Sequence, residues 1–280
     1  QALLDDPAVD AVYIPLPNSL HCEWTLKALA AGKHVLCEKV FASNAAEAQE
    51  MDAAARRAGR VLMEAIHYQY HPIAARMQDA VRQLGKIHSI AATMCVPVLY
   101  PRDIRYRLDL AGGATMDVGA YTVSLLHLLA AAAQNPALAS PAAVVRAEAL
   151  LRGPAIDRAM RVDLQWADGT TARLHHSLCS MSLLNMSARV VGERGELKLI
   201  NPYCPHIWNR FSLQVDGRRQ VERIAGETSY TCQLREFLRR IEHSVPTELS
   251  SSIRTLETID AIYQKAGLPL RGLKNVPDLR

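Results

Sequence analysis

The segment Ala11-Val12-Tyr13-Ile14-Pro15-Leu16-Pro17-Asn18-Ser19-Leu20-His21, followed by His34-Val35-Leu36-Cys37-Glu38-Lys39, sets the reading of the fold. Ala11 to Ile14 is a short apolar run closed by Pro15 and Pro17, the pattern of a buried strand. Asn18 or Ser19 is placed to cap a helix that passes Trp24, Leu26, Ala28 and Leu29 and stops at Gly32. His34 to Cys37 reads as a second strand. Ser43 or Asn44 caps a helix from Ala45 to Ala58 that ends at Gly59. Arg60 to Met63 is a third strand. Strand, helix, strand, helix, strand with short turns predicts right-handed crossovers and a parallel sheet. Ligands of such sheets sit beyond the carboxyl ends of the strands. Asn18, Glu38, Lys39 and Glu64 fall there.

Past residue 66 the rhythm changes. A helix from Pro72 to Leu84 leads into a strand from Ile87 to Val96, a charged loop from Pro101 to Asp109, Gly112-Gly113, and a helix from Met116 to Ala133. Six strand-like runs follow, at 144–150, 159–166, 171–178, 187–191, 196–199 and 211–215. Asp168-Gly169 marks a hairpin turn between two of them. Two helices close the chain, Tyr230 to His243 and Ile253 to Lys265, the second followed by Gly267 and Pro269 in the expected stop order. Strands flanked by helices read as an α+β domain with a large, open, mostly antiparallel sheet. The fold class is therefore α/β, with a first domain over 1–66 and a second over 67–280. The last helix is able to pack back on the first domain.

The 280 residues suffice for one large domain or two modest ones. A hydrophobic fraction of 49% with 21% charge excludes a mostly disordered chain. No uninterrupted apolar run is long enough to span a bilayer, Leu125 to Ala133 being too short, so no membrane partner is expected. The net charge of +4 is mild and forms no basic stripe interleaved with aromatics, so no nucleic-acid partner is expected. Cys22, Cys37, Cys95, Cys179, Cys204 and Cys232 form no Cys-x-x-Cys pair and read as buried thiols rather than a disulfide framework, which points to a reducing, cytoplasmic location. No metal site is expected. The histidines lack ligand spacing, and the adjacent His175 and His176 face opposite sides of a strand.

Lys39 follows a strand end beside Glu38. It either holds a cofactor ribose or lowers the pKa of a neighbouring acid, or it is a surface salt-bridge residue. Asp117 and Tyr121 are four apart and share a helical face. Gly119 between them admits another backbone or a ligand. Tyr121 reads as a general acid/base with Asp117 orienting the substrate or cofactor, against the bland reading of a capping Asp and a half-buried Tyr. Asn18 and His21 either cap the first helix or contact a dinucleotide. Arg102, Asp103, Arg105 and Arg107 are a solvated face unless one or two arginines reach a substrate. His67, Tyr70 and His71 follow the third strand and either line the same cleft or are structural.

At Asn18-Ser19-Leu20-His21, Gly32 to Lys39, Met63 to Pro72, Ala111 to Tyr121, and Asp260-Ala261-Ile262-Tyr263 with Ala266-Gly267-Leu268-Pro269, the chain resembles the glucose–fructose oxidoreductase / inositol dehydrogenase family (Gfo/Idh/MocA). The resemblance covers essentially the whole chain. It implies an NAD(P)-binding Rossmann domain, a C-terminal substrate domain, and a homo-oligomer formed through the C-terminal sheet. Glu38-Lys39 matches the family's Glu-Lys-Pro motif, and Tyr121 matches the branch that carries Tyr rather than His. The resemblance assigns Lys39, Asp117 and Tyr121 to catalysis. Pro17, Asn18, His21, Glu38 and Lys39 fall to NAD or NADP. His67, Tyr70, Arg102 and Arg105 fall to a sugar-like or cyclic polyol substrate. The implied reaction is hydride transfer between nicotinamide and a secondary alcohol or carbonyl, with Lys39 lowering the pKa of Tyr121.

Two departures stand out. Val40 replaces the motif's proline, and a cis bond before Val costs about 2.5–4 kcal/mol, so Lys39 is expected to be presented differently. No Gly-x-Gly-x-x-Gly occurs. About 55–65 residues of a six-strand Rossmann domain are expected to precede Gln1. The alternative is a truncated, inactive homologue acting as a ligand-binding or sheet-mediated dimerisation protein.

Overall fold

The computed structural model describes residues 2–100 and 102–272. Gln1, Pro101 at the head of the charged loop, and 273–280 lie outside the described residues. One helical turn, α1 (Ala2–Asp5), precedes β1 (Ala11–Ile14), α2 (His21–Ala30), β2 (His34–Glu38), α3 (Ala45–Ala58) and β3 (Leu62–Ala65). The three strands pair in parallel in the order β1-β2-β3, with Ala11 opposite His34 and Val35 opposite Leu62. The third strand begins two residues later than its apolar pattern suggests. The Thr247 hydroxyl takes the Leu62 N–H and donates to the Arg60 carbonyl, a long-range contact with no local signal.

Asn44 caps α3 by accepting from Glu47 N–H at 3.0 Å, and Gly59 closes it in the left-handed region. Neither Asn18 nor Ser19 caps α2. A 3₁₀ turn over Asn18–Leu20 intervenes, and the Asn18 amide donates instead to the Ala111 carbonyl at 3.1 Å. The Lys39–Val40 peptide is cis, against the expectation raised by the missing proline.

The second half contains α4 (Pro72–Gln83), β4 (Ile87–Cys95), α5 (Ala120–Ala132), β5 (Ala143–Arg152), β6 (Ile156–Gln165), β7 (Thr171–Ser177), β8 (Asn185–Gly192), β9 (Gly195–Ile200), β10 (Arg210–Val215), β11 (Arg218–Glu222), α6 (Ser229–Glu242) and α7 (Ser250–Lys265). Its eight strands run in the order β11-β10-β9-β8-β4-β7-β6-β5. Among the described residues of this sheet, β4 and β7 alone pair in parallel. The strand β11 escaped the sequence reading because Arg218-Arg219-Gln220-Val221-Glu222 has no buried alternation and lies at the sheet edge.

The helix α5 packs against β4 and is apolar nearly all round, as a helix enclosed by its own protein must be. Together with its preceding turns, Leu108–Ala132 is the one stretch among the described residues long and apolar enough to cross a membrane by composition. Its most apolar window is 78% buried within the fold. On the first sheet, Phe237 of α6 closes a cluster with Leu36, Val61, Met63 and Ala65. Asp260 of α7 accepts from the Ala45 N–H at 2.9 Å, so α7 seats on the start of α3.

Glu64 on β3 is buried, and its Oε1 accepts from Phe41 N–H at 3.2 Å. Burial raises its pKa from 4.5 to about 7. The folded state therefore holds the proton more tightly than the unfolded chain, and this contribution to stability is present below pH 4.5 and lost as pH rises through about 7. Glu64→Gln is expected to remove that part of the pH dependence, as measured by urea unfolding on either side of the window.

Candidate active site

The site forms where β2 ends facing the turn that leads into α5. Glu38 is anchored first. Its Oε1 accepts from the Tyr13 hydroxyl at 2.5 Å and its Oε2 from the Lys39 N–H at 3.0 Å. Lys39 then projects across to donate through Nζ to Asp117 Oδ1 at 2.6 Å and to the Asp117 carbonyl at 3.0 Å. Arg105 Nε donates to Asp117 Oδ2 at 2.9 Å. Burial pulls the Asp117 carboxyl upward, but Lys39 and Arg105 outweigh it and hold its pKa below the ordinary value. Asp117 is therefore an anion between two cations.

The turn carrying Asp117 is built by close backbone approach. A Cβ on Gly112 would stand 2.6 Å from the Arg105 carbonyl oxygen. Gly113, at φ +129°, would place one 2.2 Å from Asp157 Oδ1. Asp157 is fully buried. It accepts from the Thr115 N–H at 2.7 Å, the Thr115 hydroxyl at 2.6 Å and the Tyr263 hydroxyl at 3.0 Å, and it pairs with Arg271 at 3.1 Å. Arg271 also donates to the Gly112 carbonyl at 2.8 Å. Residues Thr115–Gly119 form a π-helical turn rather than the first turn of a regular helix. Gly119 makes room for the His176 ring, whose Nε2 a Cβ would meet at 2.9 Å. The expected close approach is thus to a side chain of this chain.

Tyr121 lies behind Lys39, whose Nζ is 5.0 Å from the ring centroid. The expectation that Lys39 lowers the tyrosine's pKa is not met in this arrangement. Lys39 is ion-paired with Asp117, and burial drives the phenol well above its ordinary value, with Cys204, Tyr230, Glu38 and Asp117 adding to the rise. The Tyr121 hydroxyl stands 3.3 Å from His67 Nε2. Burial, then His206 and Lys39, press His67 down to about 4, so its ring is neutral near pH 7.

The structure brings Lys39, Asp117, Tyr121, Arg105, Glu38 and His67 to one region. Pro17, Asn18, Glu38, Lys39, Arg105 and Asp117 line a cavity of about 180 Å³. Three candidates fall elsewhere. His21 is buried with its two ring nitrogens 2.8 Å from the Val40 carbonyl and 2.7 Å from that of Leu16, so it ties two loops together. Tyr70 packs against the Leu36 and Phe237 cluster on the far side of the sheet. Arg102 is exposed, and its neighbours Ile104 and Arg105 line the cavity instead. Asp157, Arg271, His206 and Ser229 were invisible to sequence reading, because each lies in a loop, at a helix end or on a strand with no local spacing to mark it, and His176 was weighed there only as a metal ligand.

Comparison with known proteins gives the family. The description "Oxidoreductase family, NAD-binding Rossmann fold" matches residues 1–66, and "GFO/IDH/MocA C-terminal domain" matches residues 74–198. The chain is 33% identical over 270 residues to D-xylose 1-dehydrogenase (NADP(+)) 2 of Haloferax volcanii, covering 95% of this chain and 81% of that protein. It is 32% identical over 287 residues to dTDP-3,4-didehydro-2,6-dideoxy-alpha-D-glucose 3-reductase of Streptomyces violaceoruber, covering 95% and 80%. A solved 3-ketoreductase from Actinomadura kijaniata, in complex with NADP and TDP-benzene, superposes with a TM-score of 0.81 at 27% identity, covering 94% of this chain and 80% of that one. On these sequence matches and the two-sheet fold, the chain belongs to the GFO/IDH/MocA oxidoreductase family.

Proposed function

We propose that this chain is an NAD(P)-dependent oxidoreductase acting on a CH–OH group, or the corresponding carbonyl, of a sugar-like or cyclic polyol substrate. The observation that carries this reading is the meeting of an ammonium, a carboxylate and a phenol at the carboxyl end of β2. The residues present fit a nicotinamide nucleotide. Asn18, Glu38 and Lys39 offer polar groups for ribose hydroxyls, and the exposed Leu16 and Ile104 offer apolar surface for a flat ring. When bound, the nicotinamide supplies or accepts the hydride.

The chain's own residues do the rest. Arg105 and Lys39 fix Asp117, whose carboxylate orients a substrate hydroxyl. Lys39 holds its ammonium where a ribose or substrate oxygen approaches. Tyr121 is kept protonated by burial; in reduction it gives its proton to the nascent alkoxide, and in oxidation its Oη takes the substrate proton as the phenol releases its own. The relatives' activities on sugars support this substrate class, and the convergence of the three groups favours it over an inactive binder. The six free cysteines support a cytoplasmic location. The open outer face of the large sheet, with Ser89, Asp163, Arg173 and Arg189 around a shallow hollow, supports pairing with a second copy.

The test is a screen of aldoses, inositols and nucleotide-linked keto sugars against NAD and NADP, read by nicotinamide absorbance. Cofactor-dependent turnover of at least one such compound is expected. Turnover of none, with no quenching of nicotinamide fluorescence on addition of protein, would count against the reading.

A further inference from the structure

Behind Tyr121 runs a chain of polar atoms that the reaction as described leaves unused. His67 Nε2 faces the Tyr121 hydroxyl at 3.3 Å, His67 Nδ1 lies 2.8 Å from Ser229 Oγ, and Ser229 Oγ lies 2.7 Å from His206 Nδ1. His67 and Ser229 are buried, whereas His206 is half-buried. The elements that meet here are remote in sequence. His67 follows β3, His206 sits in the loop after β9, and Ser229 opens α6, whose cap is supplied by Thr228. Ser229 Oγ has no role in that cap. Its two contacts are both imidazole nitrogens. A buried hydroxyl shared by two histidines donates one bond and accepts the other.

We propose that His67, Ser229 and His206 form a proton relay between Tyr121 and solvent. The proposal rests on the assignment of Tyr121 as the acid/base. In oxidation, the substrate O–H bond breaks and its proton bonds to Tyr121 Oη as the Tyr121 proton passes to His67 Nε2. The His67 Nδ1 proton passes to Ser229 Oγ, and the Ser229 proton passes to His206 Nδ1. His206 releases its Nε2 proton to water. One proton enters and one leaves, and no electrons move along the chain. Reduction runs the same transfers backwards. The relay lets a phenol held neutral by burial accept a proton without becoming a cation or storing a buried anion. The stacking of Tyr230 on His67, with ring centroids 4.3 Å apart, fixes the ring plane that the two bonds require.

Two measurements test this. Nitrogen NMR of the histidine rings in the substrate-free protein reads the tautomers. A continuous chain requires opposite protonation at the two Nδ1 atoms that face Ser229, and the same state at both overturns the relay. The second uses a substrate found in the screen above. Ser229→Ala is expected to lower kcat by about tenfold with KM unchanged, a part of the roughly 10²–10⁴-fold that positioned proton transfer contributes. The solvent isotope effect on kcat is expected to rise in that variant. His206→Ala is expected to lose activity and to regain it with imidazole in the buffer. Wild-type kcat and isotope effect in Ser229→Ala overturn the relay and leave the role of Tyr121 standing. If the wild-type protein turns nothing over and leaves nicotinamide fluorescence unquenched, the proposed function has failed, and the tautomers still decide the hydrogen-bond chain.

Discussion

Replacement of Tyr121 by phenylalanine is expected to lower kcat by about 10²–10⁴-fold, the usual contribution of a positioned general acid/base. The fold should survive, because only the hydroxyl is lost and the ring keeps its neighbours Tyr68 and Tyr203 at 6.2 and 5.9 Å. The hydroxyl makes a single long bond, to His67 Nε2. Leaving that buried nitrogen unpaired costs about 1–3 kcal/mol, too little to unfold a domain of ordinary stability. Kinetics with the compound identified by the screen, together with circular dichroism and thermal melts, separate the two effects. Near-normal turnover in Tyr121→Phe would remove the phenol from the chemistry. A variant that has lost turnover only because it is unfolded would show in the melt.

Arg271→Met is expected to be the most destabilising single change argued from this structure. The Arg271–Asp157 pair has no solvent exposure on either side chain. Removing one partner of such a pair costs about 3–5 kcal/mol, because the other is left as an uncompensated buried charge. For a protein of this size that corresponds to a melting temperature lower by roughly 10 °C. Burial already raises the pKa of Asp157 with Arg271 in place. Without Arg271 it rises further, so the folded state binds the proton more tightly and the deficit grows with pH above 3.8. Asp157→Asn added to Arg271→Met is expected to recover most of the loss at neutral pH. The turn bearing Asp117 should loosen as well, since Arg271 holds the Gly112 carbonyl and Asp157 holds Thr115. Chemical unfolding of the single and double variants checks this, and a melt of Arg271→Met close to that of the parent protein would refute it.

The strands and helices that the sequence foretold are those with strong local signals. The parallel run from β1 to β3 has alternating apolar segments, a capping Asn44 and a terminating Gly59. The Asp168-Gly169 turn follows from its dipeptide. Signals failed where structure is decided at long range. Asn18 looks like a cap, yet its amide goes to Ala111, 93 residues away in sequence. His21 has the composition of a ligand contact, yet both of its nitrogens face carbonyls of this chain. The start of β3 is moved by Thr247, and β11 has no apolar pattern to reveal it.

The sequence by itself determined the layered α/β plan, because helix and strand periodicities and turn residues act within a few positions of one another. It also named Lys39, Asp117 and Tyr121 as the residues to bring together. Tertiary structure alone decided how they meet. Lys39 spends its charge on Asp117 rather than on the phenol, Arg271 from beyond α7 and Asp157 from β6 brace the turn together, and His67, Ser229 and His206 join up behind Tyr121. Those contacts depend on distance and burial across elements, and a buried polar group must find a partner wherever the fold supplies one, which no local pattern in the chain can encode.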